Sequence, residues 1–202
     1  MTLDGLRPLA ERFLGPFVRL ADRLGLTPNA VSLLAFGAAT GAGTLFAGAD
    51  GRSWWYLGGA ILVFLNGWLD LVDGALAREH GSESARGDLI DHVLDRYADI
   101  AIVGGLAVGV DQLGLGFLAV TGVLMTSYLG TQAIAVGMDR VYGGLLGRAD
   151  RLAVIGITAA LMAIHPAGVG PLTLIGWLLV VLAVVGHLTA LQRFWLAVKH
   201  LD

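Results

Sequence analysis

The chain has 202 residues, 56% of them hydrophobic and only 14% charged, with a mean hydropathy of +0.74; soluble domains carry about 25% charged residues, so composition argues against a soluble globular enzyme. A formal net charge of −3 gives no reason to expect nucleic acid as a partner. The absence of cysteine removes disulfides, a thiol nucleophile and thiolate metal sites, leaving Asp, Glu and His for any bound metal. At about 20 apolar residues per span, the length allows about six membrane helices and no separate soluble domain.

Residues 1–25 lack an apolar run like a signal-peptide core and carry Asp4 and Glu11, so no cleavage is expected. Leu6, Leu9, Phe13, Phe17, Leu20 and Leu24 fall within about 80° of one another on a helix. Arg12, Arg19 and Arg23 flank that stripe, which predicts an interfacial helix lying on the membrane, bent at Pro16. An amphipathic helix packed on protein would show the same pattern, and both can hold at once.

Residues 26–202 read as one membrane domain, with apolar segments at 30–49, 54–77, 88–110, 113–136, 150–165 and 171–198. Thr27-Pro28-Asn29 punctuates the entry to the first segment, and Asp50-Gly51-Arg52 the turn after it. Gly37/Gly41 and Gly105/Gly109 have the small-xxx-small spacing of close helix contacts, although general tight packing explains them as well. The predicted fold is an all-α integral membrane protein: six transmembrane helices preceded by an amphipathic interfacial helix. With the N-terminus inside, eleven basic residues fall on the cytoplasmic side and only Arg52 outside, Arg96 lying within the third span. Both termini and the loops at 78–87 and 137–149 are therefore expected to face the cytoplasm across the cell membrane.

Four acids stand inside otherwise apolar segments: Asp70 and Asp73 in the second, Asp91 and Asp95 in the third. A charged Asp at mid-span costs about 2.5–3.5 kcal/mol on the insertion scale, so four of them need compensation. Helical spacing puts each pair on one face. At 1.5 Å per residue both pairs reach about 12 Å down from the same loop, at one depth. Two divalent cations would balance the four charges, and all-oxygen ligands favour magnesium, manganese or calcium over zinc. Two such ions can clamp a pyrophosphate leaving group. Gly74 opens room beside the carboxylates, and Arg78, one turn on, is placed to hold a phosphate. Asp88 can cap the third helix, and Asp99, continuing the Asp91/Asp95 stripe, reads as a helix–helix hydrogen bond.

The run Asp70-Leu-Val-Asp73-Gly74-Ala75-Leu76-Ala77-Arg78, then eight residues, Gly87, three residues, Asp91, three residues, Asp95 resembles the CDP-alcohol phosphotransferase signature at every fixed position. Thr27-Pro28-Asn29 and the six-span layout extend the resemblance over nearly the whole chain, in look closest to archaeal phospholipid synthases. The resemblance implies a homodimeric membrane enzyme that transfers a phosphatidyl or archaetidyl group from a CDP-linked lipid to a small polar alcohol, releasing CMP. It implies two divalent cations, Mg2+ or Mn2+, on Asp70, Asp73 and Asp91. Asp95 would be the general base, and within reach of the cations as well. Asn29, Gly74, Ala77, Arg78 and Gly87 would line the CDP site.

For the acceptor, Arg148 and Arg151 resemble the paired arginines with which relatives grip inositol phosphate, with Arg140 as a third candidate; the same residues also serve as inside-positive anchors. Those relatives place basic residues after a Ser-Tyr pair in the fourth span, whereas here Ser127-Tyr128 precedes Leu129, Gly130, Thr131 and Gln132. A phosphorylated acceptor is expected, glycerol phosphate or inositol phosphate. Two alternatives outside the family use intramembrane Asp: a magnesium-dependent prenyltransferase, which needs more spans, and a cation transporter, which needs an inverted repeat not found here.

Overall fold

A computed structural model of the chain describes residues 7–50, 52–82, 84–138, 145–166, 168 and 170–201, with side chains from Phe13 onward. Among them are seven helices and no strand: α1 (Arg7–Arg23), α2 (Pro28–Ala47), α3 (Ser53–Glu79), α4 (Ala85–Gly109), α5 (Leu113–Ala135), α6 (Arg148–Ile164) and α7 (Leu174–Leu201). Each apolar segment of the sequence is helical. Only α2, α3, α5 and α7 are long and apolar enough to cross a membrane on their own composition. Helix α4 carries six charged residues in its 25, and α6 has 17 residues, about 25 Å of helix. The expected six spans are thus four by composition, with two helices whose burial depends on their neighbours.

Helix α1 runs on through Pro16. Phe13, Phe17, Leu20 and Leu24 of the expected stripe are exposed, while Leu14, Val18 and Ala21 are buried against Val31, Val72 and Leu76. One face therefore packs on the bundle, and the neighbouring face presents the apolar row an interfacial helix needs. His80 Nε2 lies 2.9 Å from Asp22 Oδ1, tying the end of α3 to the end of α1.

Helix α2 sits between α3 and α4, α5 packs on α7 and α4, and α6 lies along α3 and touches α7. The shared core includes Phe46, Val63, Ile102, Leu106, Ile155 and Leu179. The α2–α4 contact is made by backbone: a Cβ at Gly43 would collide with Ala101, one at Gly105 with Gly43, and one at Gly109 with Phe46. Of the two glycine pairs noted in the sequence, Gly105/Gly109 therefore forms a close helix contact. Gly37 meets only open space and Gly41 only the Leu62 side chain. Large apolar side chains such as Phe64, Phe117, Ile157 and Leu191 stay exposed around the bundle, the surface a lipid environment covers.

Candidate active site

Local capping sets where the acids fall. Thr27 caps α2 by accepting from the Ala30 N–H at 3.3 Å, with Pro28 in the first turn, as a helix start requires. Ser84, rather than Asp88, caps α4, its Oγ accepting from the Gly87 N–H at 3.1 Å. Asp88 lies in the first turn, where a negative charge suits the positive end of the helix.

With these starts fixed, carboxylate oxygens of Asp70 on α3 and of Asp91 and Asp95 on α4 all lie within 4.8 Å of one another. Asp73 is buried beside them and accepts a 2.6 Å hydrogen bond from Ser32 Oγ of α2. All four acids line one small cavity together with Ser32, Ala35, Asn66 and Ala98. The helical spacing thus brings the expected acids to one place, three as a tight cluster and the fourth turned toward α2.

Guanidinium groups compensate part of this charge. Arg148, at the start of α6, reaches Asp70 Oδ2 at 2.7 Å and Asp95 Oδ1 at 2.5 Å. Arg96 lies 3.5 Å from both Asp95 and Asp99, and Arg151 donates from Nη2 to both oxygens of Asp99, at 2.8 and 2.9 Å. Asp70, Asp95 and Asp99 alternate with Arg148, Arg96 and Arg151 along this network. With Asp73 and Asp91 beside it there are five carboxylates to three guanidiniums, so two negative charges remain formally unbalanced among these eight groups. An anionic all-oxygen cluster with that excess fits a divalent cation such as Mg2+ or Mn2+. Asn66 also lines this cavity, and its Oδ1 is buried with no hydrogen-bond partner, which suits a guest in that space.

The residues expected at the CDP site lie on the same end. Gly74 and Ala77 are half-buried on α3, Arg78 is exposed in its last turn, and Gly87 is half-buried in the first turn of α4. A Cβ at Gly87 would sit 3.8 Å from Asn29 Oδ1, so the starts of α2 and α4 are neighbours. Arg151 is buried, 3% exposed, and Arg140 lies outside the described residues. Asp99 makes the helix–helix hydrogen bond expected of it, accepting from Arg151 of α6, whereas Ser32, Asn66 and the Arg96 contacts were not marked as site features in the sequence. For Asn66 the signal was present in the spacing, since it stands four residues before Asp70.

Between α3 and α6 runs an apolar groove of about 730 Å³. Leu57, Ile61, Phe64, Leu152, Gly156 and Ile157 are among its walls, and Asp70 and Arg148 form its polar end. The structure therefore joins a hydrocarbon-lined channel to a carboxylate cluster fit for a cation, the combination a membrane enzyme acting on a phosphorylated lipid requires.

Comparison with known proteins gives the class directly: residues 25–185 match the family model for CDP-alcohol phosphatidyltransferases. The chain belongs to that family, a group of transferases, and the prenyltransferase and transporter alternatives are set aside. Among curated relatives it is 33% identical over 198 residues to archaetidylinositol phosphate synthase of Methanothermobacter thermautotrophicus, covering 95% of this chain and 91% of that one. It is 38% identical over 191 residues to phosphatidylinositol phosphate synthase of Mycolicibacterium smegmatis, covering 88% and 80% respectively. Among solved structures it resembles Mycobacterium tuberculosis phosphatidylinositol phosphate synthase with CDP-DAG bound, at TM-score 0.77 and 29% identity, over 92% of this chain and 94% of that one. The same protein in complex with manganese and citrate matches at TM-score 0.78 and 27% identity, over 91% and 88%.

Proposed function

We propose that this chain is a phospholipid synthase that transfers the phosphatidyl- or archaetidyl-type group of a CDP-linked lipid to inositol phosphate, releasing CMP. The observation that carries this reading is the meeting of Asp70, Asp91 and Asp95 from two helices at the polar end of the α3–α6 groove, beside Arg148. The names of the relatives favour inositol phosphate over glycerol phosphate as acceptor.

In this reading the groove takes an apolar chain of the donor and brings its headgroup to the carboxylates. Gly74 and Ala77 leave space for the CDP group, and Asn29, Arg78 and Gly87 surround it. Two divalent cations on Asp70, Asp73 and Asp91 would supply charge neutralisation on the pyrophosphate as CMP leaves. Asp95 takes the proton of the attacking hydroxyl. Arg148 exchanges its carboxylate partners for the acceptor's phosphate, a contact suited to a guanidinium. Arg151, held by Asp99, fixes the start of α6 behind it. Six spans, both termini cytoplasmic in the cell membrane and a homodimer complete the reading. The inside-positive distribution of Arg supports its orientation.

The test is to incubate the purified protein with CDP-lipid and a panel of acceptors and to measure CMP. Release with inositol phosphate, abolished by a chelator and restored by Mg2+ or Mn2+, is the expected result. Release with glycerol phosphate alone would move the acceptor assignment and leave the transferase chemistry standing. Release with neither, in metal-replete protein, would overturn the reading.

A further inference from the structure

Asn66 stands one helical turn before Asp70 on α3 and is 2% exposed. Its Nδ2 donates to the Ala35 carbonyl of α2 at 3.0 Å. That bond fixes the orientation of the amide, because turning it over would set two acceptor oxygens against each other. The Oδ1 atom is left as a buried acceptor with no donor, a state that costs on the order of 1–3 kcal/mol if nothing satisfies it. Backbone does not relieve it, since α3 is continuous helix through this turn and its N–H groups are used within the helix. The residue lines the same small cavity as Asp70, Asp73, Asp91 and Asp95. That cavity has room for about 10 Å³, roughly the volume of one water-sized guest.

We propose that Asn66 is a further member of the divalent-cation site, its amide oxygen accepting from a water in the cation's shell and so orienting that shell from the α2 side. The inference rests on the cation reading given above and adds a residue to it. A neutral oxygen suits this position: it satisfies a cation-bound water without adding a fifth negative charge to a crowded acidic cavity. Partners of this kind typically change metal affinity by 10- to 100-fold when removed.

The experiment is Mn2+ binding to the full-length protein in detergent or nanodiscs, without substrates, followed by electron paramagnetic resonance and by the rise in melting temperature with Mn2+. Asn66→Ala is expected to weaken Mn2+ binding at least tenfold and to shrink the Mn2+-induced rise. Asn66→Asp keeps an oxygen toward the cavity while setting a second against the Ala35 carbonyl, so it is expected to lower the metal-free melting temperature and yet to bind Mn2+ at least as tightly as wild type, because the added charge attracts the cation. A merely structural Asn66, serving only the Ala35 carbonyl, would lower the metal-free melting temperature and leave the Mn2+ affinity of Asn66→Ala within twofold of wild type; that result overturns the proposal. Should Asn66→Ala fail to fold, Asn66→Asp decides, and a tenfold weakening in it is equally fatal. Wild-type protein that binds no Mn2+ would overturn the underlying cation reading, an outcome distinct from a cation site that ignores residue 66.

Discussion

Helix α4 meets α2, and α6 meets α3, in opposite ways. Along the first contact Gly43, Gly105 and Gly109 bring backbone against backbone, leaving no space for even a methyl group. Along the second, a Cβ on Gly156 would meet nothing nearer than the Ala60 backbone oxygen at 4.0 Å, and α6, though it lies along α3, leaves the apolar groove open beside the contact. The tight contact holds Asp91 and Asp95 in fixed register with the bundle. The open one places Arg148 at the end of the apolar groove, the space proposed above for a chain of the donor lipid. Precision and access are assigned to different helix pairs, and Asp70 belongs to both, lying in the carboxylate cluster and at the end of the groove.

Substitutions on the two sides separate these roles. The largest effect is expected on the rigid side: Asp95→Asn should lower turnover by about 10² to 10⁴, the worth of a positioned base, with CDP-lipid binding nearly intact. Loss of donor binding with normal residual chemistry would instead make Asp95 a cation ligand. Next is Arg151→Ala, which strips Asp99 of its bidentate partner inside the bundle. Breaking a buried pair costs about 3–5 kcal/mol, so the melting temperature should fall sharply. Wild-type stability with a raised acceptor KM would show that Arg151 contacts the acceptor and does not merely hold α6.

Gly105→Leu forces a side chain into backbone and should destabilise by about 1–3 kcal/mol or more. Gly156→Leu should keep the wild-type melting temperature and weaken donor binding. Equal loss of stability in both would erase the distinction between seam and groove. The smallest effect is predicted for Arg148→Ala, a ten- to hundredfold rise in acceptor KM, the equivalent of about 1.5–3 kcal/mol for hydrogen bonds to a charged group. Unchanged acceptor kinetics in correctly inserted protein would leave Arg148 as a counter-charge to Asp70 and Asp95 with no part in acceptor binding.

The acidic site was legible in sequence because i,i+3 and i,i+4 spacing alone puts Asp70 with Asp73 and Asp91 with Asp95. Depth below a shared loop then made the two pairs meet. The groove was not legible: its width depends on how far α6 stands from α3, which no single helix encodes. Glycine spacing was ambiguous for the same reason, Gly37/Gly41 and Gly105/Gly109 being identical as patterns and different as contacts. Arg148 and Arg151 look equivalent in sequence, one turn apart. The structure separates them because Asp99, on another helix, takes only the second. In α1 the stripe Phe13, Phe17, Leu20 and Leu24 stands out in the sequence by its large side chains, while the packing row of Leu14, Val18 and Ala21 falls from Leu to Ala and forms no stripe of comparable size.

The alternating Asp–Arg network bears on how the protein is made. In the six-span topology proposed here, α4 leaves the ribosome with Asp91, Asp95 and Asp99 well before the residues that neutralise Asp95 and Asp99 from α6. Each acid costs about 2.5–3.5 kcal/mol when it faces lipid without a partner. The intervening α5 is apolar and can partition by itself, but α4 gains its full set of counter-charges only when Arg148 and Arg151 arrive. Integration of α4 is thereby coupled to synthesis of a helix two positions later, and a nascent chain truncated before residue 148 should hold α4 in the membrane less firmly than the complete protein does.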